Sequence, residues 1–460
     1  MTDTELPSRF ERLIGRPGPR LAGLGLLILI LLIPLSMIES RVNERSTRQQ
    51  EARASVAKSW GQAQTVAGPI LRLPYRVLRL EKDGDKNVER VHTGWLVLPP
   101  QQLAAEVQIV TEVRRRGIFE VPVYTAKLKL KGQFQLPEAS SLPLPLGALD
   151  LARADLMIGI AEAGSLSADS RVKVDDELLT LEPSALSLGA QGVHAVMRKG
   201  VAATRLAQGL PFEIELALKG SSAFHLAPVA RDTRLAMHSS WPHPSFQGVG
   251  LPTRSVIGAQ GFKADWSVSH LGRGYPPVWL DHEVSREQID QAAFGVELAV
   301  PVDPYSMAAR IAKYGALLLL LSFAVIWVME LLGGKPLHAV QYLLFGGSLC
   351  LFGLLQLALA EHLGFLPAFV LAANAVVTQA TWYARTATGS MRRACVLGAT
   401  LSAWFGYLYV VLRAEDLAFL LGSLALFAAL TGVMWATRGV NWTTGQRGDS
   451  RWDVADATLE

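Results

Sequence analysis

At 460 residues the chain has length for two or three folding units, and half of its residues are apolar. With a positive mean hydropathy, that favours a membrane protein over a soluble one. A net charge of +4 leaves no nucleic-acid footprint, and both cysteines, Cys350 and Cys395, fall inside apolar runs, which excludes a disulfide framework and a thiolate metal cluster.

The chain opens with a polar segment carrying Arg9, Arg12, Arg16 and Arg20, then an apolar run from Leu21 to Ile38. A secretory signal peptide is the competing reading. The run is long, however, and Glu39-Ser40-Arg41 has no small-x-small cleavage pattern, which favours an uncleaved transmembrane anchor over 21–38. Residues 1–20 would then be cytoplasmic, since Lys and Arg near span ends prefer that side. Residues 39–64, rich in Arg, Glu, Gln and Ala, read as a helix continuing outward, either a partner-binding stalk or a solvated spacer. Ser55-Val-Ala-Lys58 fits the S-x-x-K pattern of penicillin-interacting serine enzymes, but no K-T-G strand follows, so the match is read as chance.

From Gly68 to about Val300 the period becomes that of strands. Phe212-Glu-Ile-Glu-Leu-Ala-Leu218 alternates apolar with polar or small residues, and 107–113, 121–130 and 171–181 behave similarly. The spacing predicts a large β-rich domain, antiparallel and sandwich-like, within an outer region of residues 39–312. No fixed-period repeat is visible, and a duplication of two halves stays open.

Candidate chemistry in this region is thin. His238 and His243 flank Ser-Ser-Trp-Pro and are the one close histidine pair, without a third ligand at useful spacing. There is no G-x-S-x-G, H-E-x-x-H or glycine-rich phosphate loop. No catalytic residue, cofactor or metal is therefore expected. The aromatic stretches around Trp241 and Phe246, and around Phe262, Trp266, Tyr275 and Trp279, form either a ligand platform or core packing.

Residues 313–438 hold five apolar runs with uncharged cores at 315–329, 339–360, 363–384, 394–412 and 417–437. Crossing roughly 30 Å of hydrocarbon takes about 20 helical residues, so four of these span outright; the first does so once Tyr314 and Glu330 snorkel. Lys335, then Arg385, Arg392 and Arg393, then the tail at 439–460 are basic and would face the cytoplasm, as would both termini. The other two breaks carry Glu361 with His362, and Arg413 with Glu415 and Asp416. These form either a charged cluster at the outer mouth, suited to an ion relay or to docking, or plain interfacial charge. Ala394, Gly398, Ser402 and Gly406 recur every four residues and read as a helix-packing seam. Gln356, Asn374, Thr378 and Gln379 are the deeper polar residues, too few to mark a transporter's broken-helix site.

Several stretches resemble the CreD family of bacterial inner-membrane proteins: Arg114-Arg-Arg-Gly-Ile-Phe-Glu-Val-Pro-Val-Tyr-Thr-Ala126, Ser240-Trp-Pro-His-Pro-Ser-Phe-Gln-Gly248, Gly261-Phe-Lys-Ala-Asp-Trp266 and Val302–Gly315. The membrane block adds His338–Gly346, Leu359–Phe365, Arg413–Ser423 and Ala436–Trp442. The resemblance covers nearly the whole chain in order, with Ala339 in place of an expected proline and Asn441 in place of a frequent aspartate. It implies a Gram-negative inner-membrane protein governed by the CreB–CreC two-component system, with a role in envelope integrity. It brings no reaction or catalytic residues. The expectation is a non-enzymatic protein that supports envelope integrity and stress or antibiotic tolerance. Its partners would be the lipid bilayer and a periplasmic or envelope protein or cell-wall component, with oligomeric state open. A transporter or channel-like activity of the helices is the alternative, and a periplasmic hydrolase a third reading without a site.

Overall fold

The computed structural model describes residues 17–83, 86–184, 192–300, 304–333, 337–414 and 417–438. Arg9, Arg12, Arg16, Lys335 and the tail at 439–460 lie outside the described residues. The chain divides into two compact units, Gln49–Pro301 and the two flanks Met1–Arg48 with Val302–Glu460.

Helix α1 (Pro17–Trp60) is a single 44-residue helix. Its proline start loses no bond, because the first N–H groups of a helix have no internal partner. Interior Pro34 does remove one, and the Ser36 hydroxyl donates to the Ile33 carbonyl at 2.8 Å nearby. The helix stops at Gly61, whose φ of +149° and contact with the Lys219 carbonyl admit no side chain. The last residue, Trp60, donates its indole N–H to the Tyr124 carbonyl at 3.1 Å. Arg114 and Lys219 lie over its ring at 4.5 and 4.7 Å.

Strands, numbered along the chain, form two sheets in the Gln49–Pro301 unit. The nine-stranded sheet runs β13 (Pro244–Gly248), β17 (Phe294–Leu298), β11 (Ala223–Ala227), β1 (Gln64–Asp83), β5 (Asp155–Ile160), β9 (Gly192–Val196), β8 (Glu182–Ser184). β2 (Lys86–Leu98) hairpins onto β1, and β16 (Trp279–Leu280) adds to β2. The eight-stranded sheet runs β14 (Arg254–Gly258), β15 (Gly261–Ser269), β12 (Asp232–Ser239), β3 (Gln102–Arg116), β4 (Phe119–Phe134), β10 (Leu210–Ser221), β6 (Arg171–Val174), β7 (Glu177–Leu179).

Among the described residues the pairing is antiparallel, as expected for a sandwich, except for β1 with β11 and β3 with β12. Each parallel pair sits inside its sheet between antiparallel neighbours, in the orders β17-β11-β1-β5 and β15-β12-β3-β4. Of the second pair, β3 turns back through the β3–β4 hairpin, whereas β12 is followed by β13 in the other sheet and by β14 before β15 returns to pair with it. Gln64 pairs with Phe224, a separation of 160 residues, and Gln102 with Asp232, a separation of 130.

The alternation reads directly as burial. β3 buries Leu103, Ala105, Val107 and Ile109 and exposes the residues between them. Between the sheets lie Tyr124, Phe134, Phe212, Phe224, Phe262, Trp266 and Phe294. Each large side chain removed from water contributes about 1.5–3 kcal/mol. A smaller cluster of Ile70, Val97, Met157, Trp279 and Ile289 backs the first sheet. It is covered by the short helix at Arg286–Gln291, which opens with a Ser285/Gln288 capping box. On this sheet Arg72 and Asp155 face each other in register as a buried ion pair, with Arg72 stacked 4.8 Å over Trp95. The aromatic residues Phe262, Trp266 and Trp279 are therefore core, as the packing reading had it.

The flanking unit is helical. Besides α1, and skipping two single-turn helices of the sheet unit, it holds α2 (Pro304–Gly333), α3 (Ala339–Leu363), α4 (Phe365–Thr388), α5 (Met391–Arg413) and α6 (Ala418–Thr437). Five helices, α1 to α5, are long and apolar enough to cross a membrane; the apolar stretch described in α6, Leu420–Trp435, is shorter. Glycines let α1 approach its neighbours: a Cβ on Gly315 would meet Leu35, and one on Gly346 would meet Leu31 and Phe323. Phe352 of α3 packs on Phe369 of α4 and Phe405 of α5, with ring centroids 5.4 and 4.6 Å apart. Outward-facing Leu29, Ile33, Leu424 and Phe427 are exposed, the arrangement a lipid solvent requires.

Candidate functional site

Each unit carries one polar constellation. In the helical unit, Glu361 lies at the end of α3 with its side chain 14% exposed. It receives the Tyr305 hydroxyl at 3.2 Å from the start of α2, and the Arg45 guanidinium of α1 lies 3.6 Å away. One carboxylate therefore ties three helices. Arg310 of α2 donates to the Leu412 carbonyl of α5 at 3.2 Å. Arg413 turns aside to stack 5.6 Å from the Tyr409 ring centroid, and His362 is exposed. Among the described residues Glu361 meets Arg45 and Tyr305 rather than Arg413; Glu415 and Asp416 lie outside the described residues.

Five residues before Glu361, Gln356 is 0% exposed, and neither atom of its amide has a hydrogen-bond partner among the described residues. An unmade amide bond in an apolar interior costs about 1–3 kcal/mol by protein measurements. The Ser348 hydroxyl, two turns earlier, does find one, donating to Gln379 Oε1 at 3.0 Å.

Along the stripe of small residues, Ala394 and Gly398 are buried, and a Cβ on Gly398 would strike Thr381 of α4. Ser402 and Gly406 are exposed. The reason is geometric: at 3.6 residues per turn a four-residue spacing drifts by about 40° per step, so the stripe winds off the α4 face.

In the sheet unit, the outer face of the eight-stranded sheet is uncovered and charged. Cross-strand register places Lys263, His238, Gln108 and Lys127 in one row over β15, β12, β3 and β4. The next row is Asp265, Ala236, Glu106, Lys129 and Glu215. Lys129 and Lys131 meet Glu215 and Glu213 of β10 at 3.2 and 2.7 Å. The Lys131–Glu213 bond holds the Glu213 carboxyl below and the Lys131 ammonium above their ordinary values. Lys127 and Lys263 have no carboxylate partner among the described residues. With short Ala236 between longer neighbours, these rows enclose a depression of about 440 Å³ whose polar lining is Gln108, Lys127, His238 and Lys263 from the first row and Glu106, Lys129 and Asp265 from the second. The His238 Nδ1 lies 3.2 Å from the Phe262 carbonyl, which assigns the ring proton to Nδ1 and leaves Nε2 as the free nitrogen. The depression offers three ammonium groups, of which Lys129 is already paired with Glu215, an amide and an imidazole beside the carboxylates of Glu106 and Asp265, a mixed set suited to a ligand that carries both anionic and hydroxyl groups. No nucleophile–base pair lines it.

His243 lies beyond the end of β12 and its carbonyl accepts from Ala299. Among the described residues no group of three His, Cys, Asp or Glu side chains is placed to hold a metal ion. Sequence reasoning missed Arg45, Tyr305 and Arg310, which sit in segments read as spacer or approach to a span. The lysine row was legible in principle, since Lys127, Lys129 and Lys131 alternate with Leu128 and Leu130.

Apolar helices that enclose a few polar side chains, together with one large two-sheet domain with a charged outer face, define a multi-pass membrane protein. The family model described as "Inner membrane protein CreD" matches residues 17–443. The chain is also 30% identical over 417 residues to "Inner membrane protein CreD" of Escherichia coli (strain K12), covering 90% of this chain and 91% of that protein. It belongs to the CreD family of inner membrane proteins.

Proposed function

We propose that the protein is a non-enzymatic support of cell-envelope integrity, and of stress and antibiotic tolerance, in a Gram-negative inner membrane. Its sheet unit lies in the periplasm and binds an acidic envelope component, while all six helices, the 20-residue α6 included, cross the membrane, hold it in place and leave both termini cytoplasmic. The basic segments at Arg9–Arg20 and around Arg392 support this orientation. The observation that carries the binding role is the exposed depression flanked by Lys127 and Lys263, two cations that among the described residues form no ion pair with its carboxylates Glu106 and Asp265, on a face where Lys129 and Lys131 are paired.

A second reading, transport through the helices, is favoured by Gln356, whose unpartnered amide suits a polar species passing near Glu361. One experiment separates them. In a deletion strain scored for detergent and antibiotic sensitivity, Lys127→Glu with Lys263→Glu should abolish rescue at normal protein levels, and Gln356→Leu should retain it. Loss of rescue in Gln356→Leu alone would favour transport and overturn the binding role.

A further inference from the structure

The eight-stranded sheet ends at β14, where all five residues, Arg254 to Gly258, are exposed. Val256 is 72% and Ile257 53% exposed, and Leu251 just before the strand is 73% exposed. An edge strand presents a row of unpaired N–H and C=O groups, and natural proteins blunt such edges with lysine, proline or a bulge. β14 carries none of these between Arg254 and Gly258.

The register says which groups are free. A two-residue turn, Ala259-Gln260, joins Gly258 to Gly261, and the ladder continues as Val256 opposite Lys263 and Arg254 opposite Asp265. The pair closing a two-residue hairpin exchanges both hydrogen bonds, and such pairs alternate along an antiparallel ladder. Gly258, Val256 and Arg254 therefore bond inward to β15. Ser255 and Ile257 aim their backbone groups outward.

We propose that β14 pairs with β14 of a second copy of this chain, antiparallel about a two-fold axis through Val256, to join the two eight-stranded sheets into one. What commits the edge to a second copy is its self-complementarity. In this register Ser255 and Ile257 of one copy oppose Ile257 and Ser255 of the other, and both exchange their free backbone bonds. Val256 meets its own symmetry mate in a close non-hydrogen-bonded pair, covering its exposed side chain. Arg254, the strand's one charge, falls opposite Gly258, so no like charges face each other; a shift of the axis onto Arg254 would set the two guanidinium groups together. Pro252, lacking an N–H, limits the ladder at its other end. A five-residue ladder is small for an interface between free proteins, but copies confined to one bilayer meet at high effective concentration. The two-fold is isologous and closes at the dimer, leaving no β14 edge for further growth.

The test uses the full chain in its native membrane. Val256→Cys, in a Cys395→Ser background, is oxidised beside Leu178→Cys, an equally exposed site on the opposite edge strand of the same sheet. Antiparallel non-hydrogen-bonded neighbours lie about 4.5 Å apart between Cα atoms, within disulfide reach. The expected result is a disulfide-linked dimer at position 256 at least tenfold above that at 178. Ser255→Pro removes an outward N–H without touching the β15 ladder, and should shift the wild-type particle mass in nanodiscs from dimer to monomer. Cross-linking at 256 no greater than at 178, or a monomeric wild type, would overturn the proposal. So would a dimer whose mass Ser255→Pro leaves unchanged, or a disulfide from position 256 to a different protein.

Discussion

The two units solve opposite problems with one amino-acid alphabet. In the sheet unit Phe134, Phe224 and Phe294 are fully buried while Lys127, Lys129 and Lys131 face out. In the helical unit Leu424 and Phe427 face out, while Gln356 is sealed inside and Glu361 nearly so. Water drives apolar groups inward in the first. A hydrocarbon solvent gives no such drive to the second, whose helices are held by close packing and by polar contacts such as Glu361 with Arg45 and Tyr305. Side chains of one type should therefore carry different energies in the two units.

The largest effect is expected at Phe134→Ala, which leaves a cavity between the sheets and should cost about 3–5 kcal/mol in denaturant unfolding of the sheet unit. Phe352→Ala, equally buried in the helical unit, should cost less, because only packing is lost there. Equal losses would break the comparison. Next comes Phe427→Lys, on the outer face of α6. An insertion assay should register a penalty of up to about 2.5–3.5 kcal/mol for a charge in lipid. Leu178→Lys, exposed to water on β7, should change sheet-unit stability by less than about 0.5 kcal/mol.

Gln356→Leu should raise the thermal stability of the purified protein by about 1–3 kcal/mol, by deleting a buried amide without partners. A fall would mean that the amide is satisfied by a bound species. The smallest effect is on pH dependence. Burial holds the His225 imidazole below its ordinary value, with Glu297 opposing. As pH falls below about 6.5 the unfolded chain takes up that proton first, so stability drops until folded His225 protonates too. His225→Gln should flatten this slope in urea titrations at successive pH values.

These contrasts also explain what the sequence disclosed. Uninterrupted apolar runs and the alternation of β3 and β10 are local signals, so the anchor, the sheet-rich middle and the helical block could be read directly. The parallel pairing of β1 with β11 joins residues 160 apart, and no local pattern encodes it. The polar site was half legible for the same reason. Glu361 stands out as a charge between apolar runs, but its partners Arg45 and Tyr305 lie on other helices, where local context suggested a spacer. The packing stripe was read as one seam because its spacing is regular; helical drift takes Ser402 and Gly406 out of it.

The central claim is that the sheet unit's charged face does the work and the helices are a mount. Its most direct test places Gln49–Pro301 on an unrelated membrane anchor in the deletion strain, with protease resistance verifying that the unit is folded. The account predicts restored detergent and antibiotic resistance, lost again when Lys127 and Lys263 are changed to glutamate. A folded, membrane-tethered sheet unit that restores nothing would contradict it and move the function into the helices around Gln356 and Glu361.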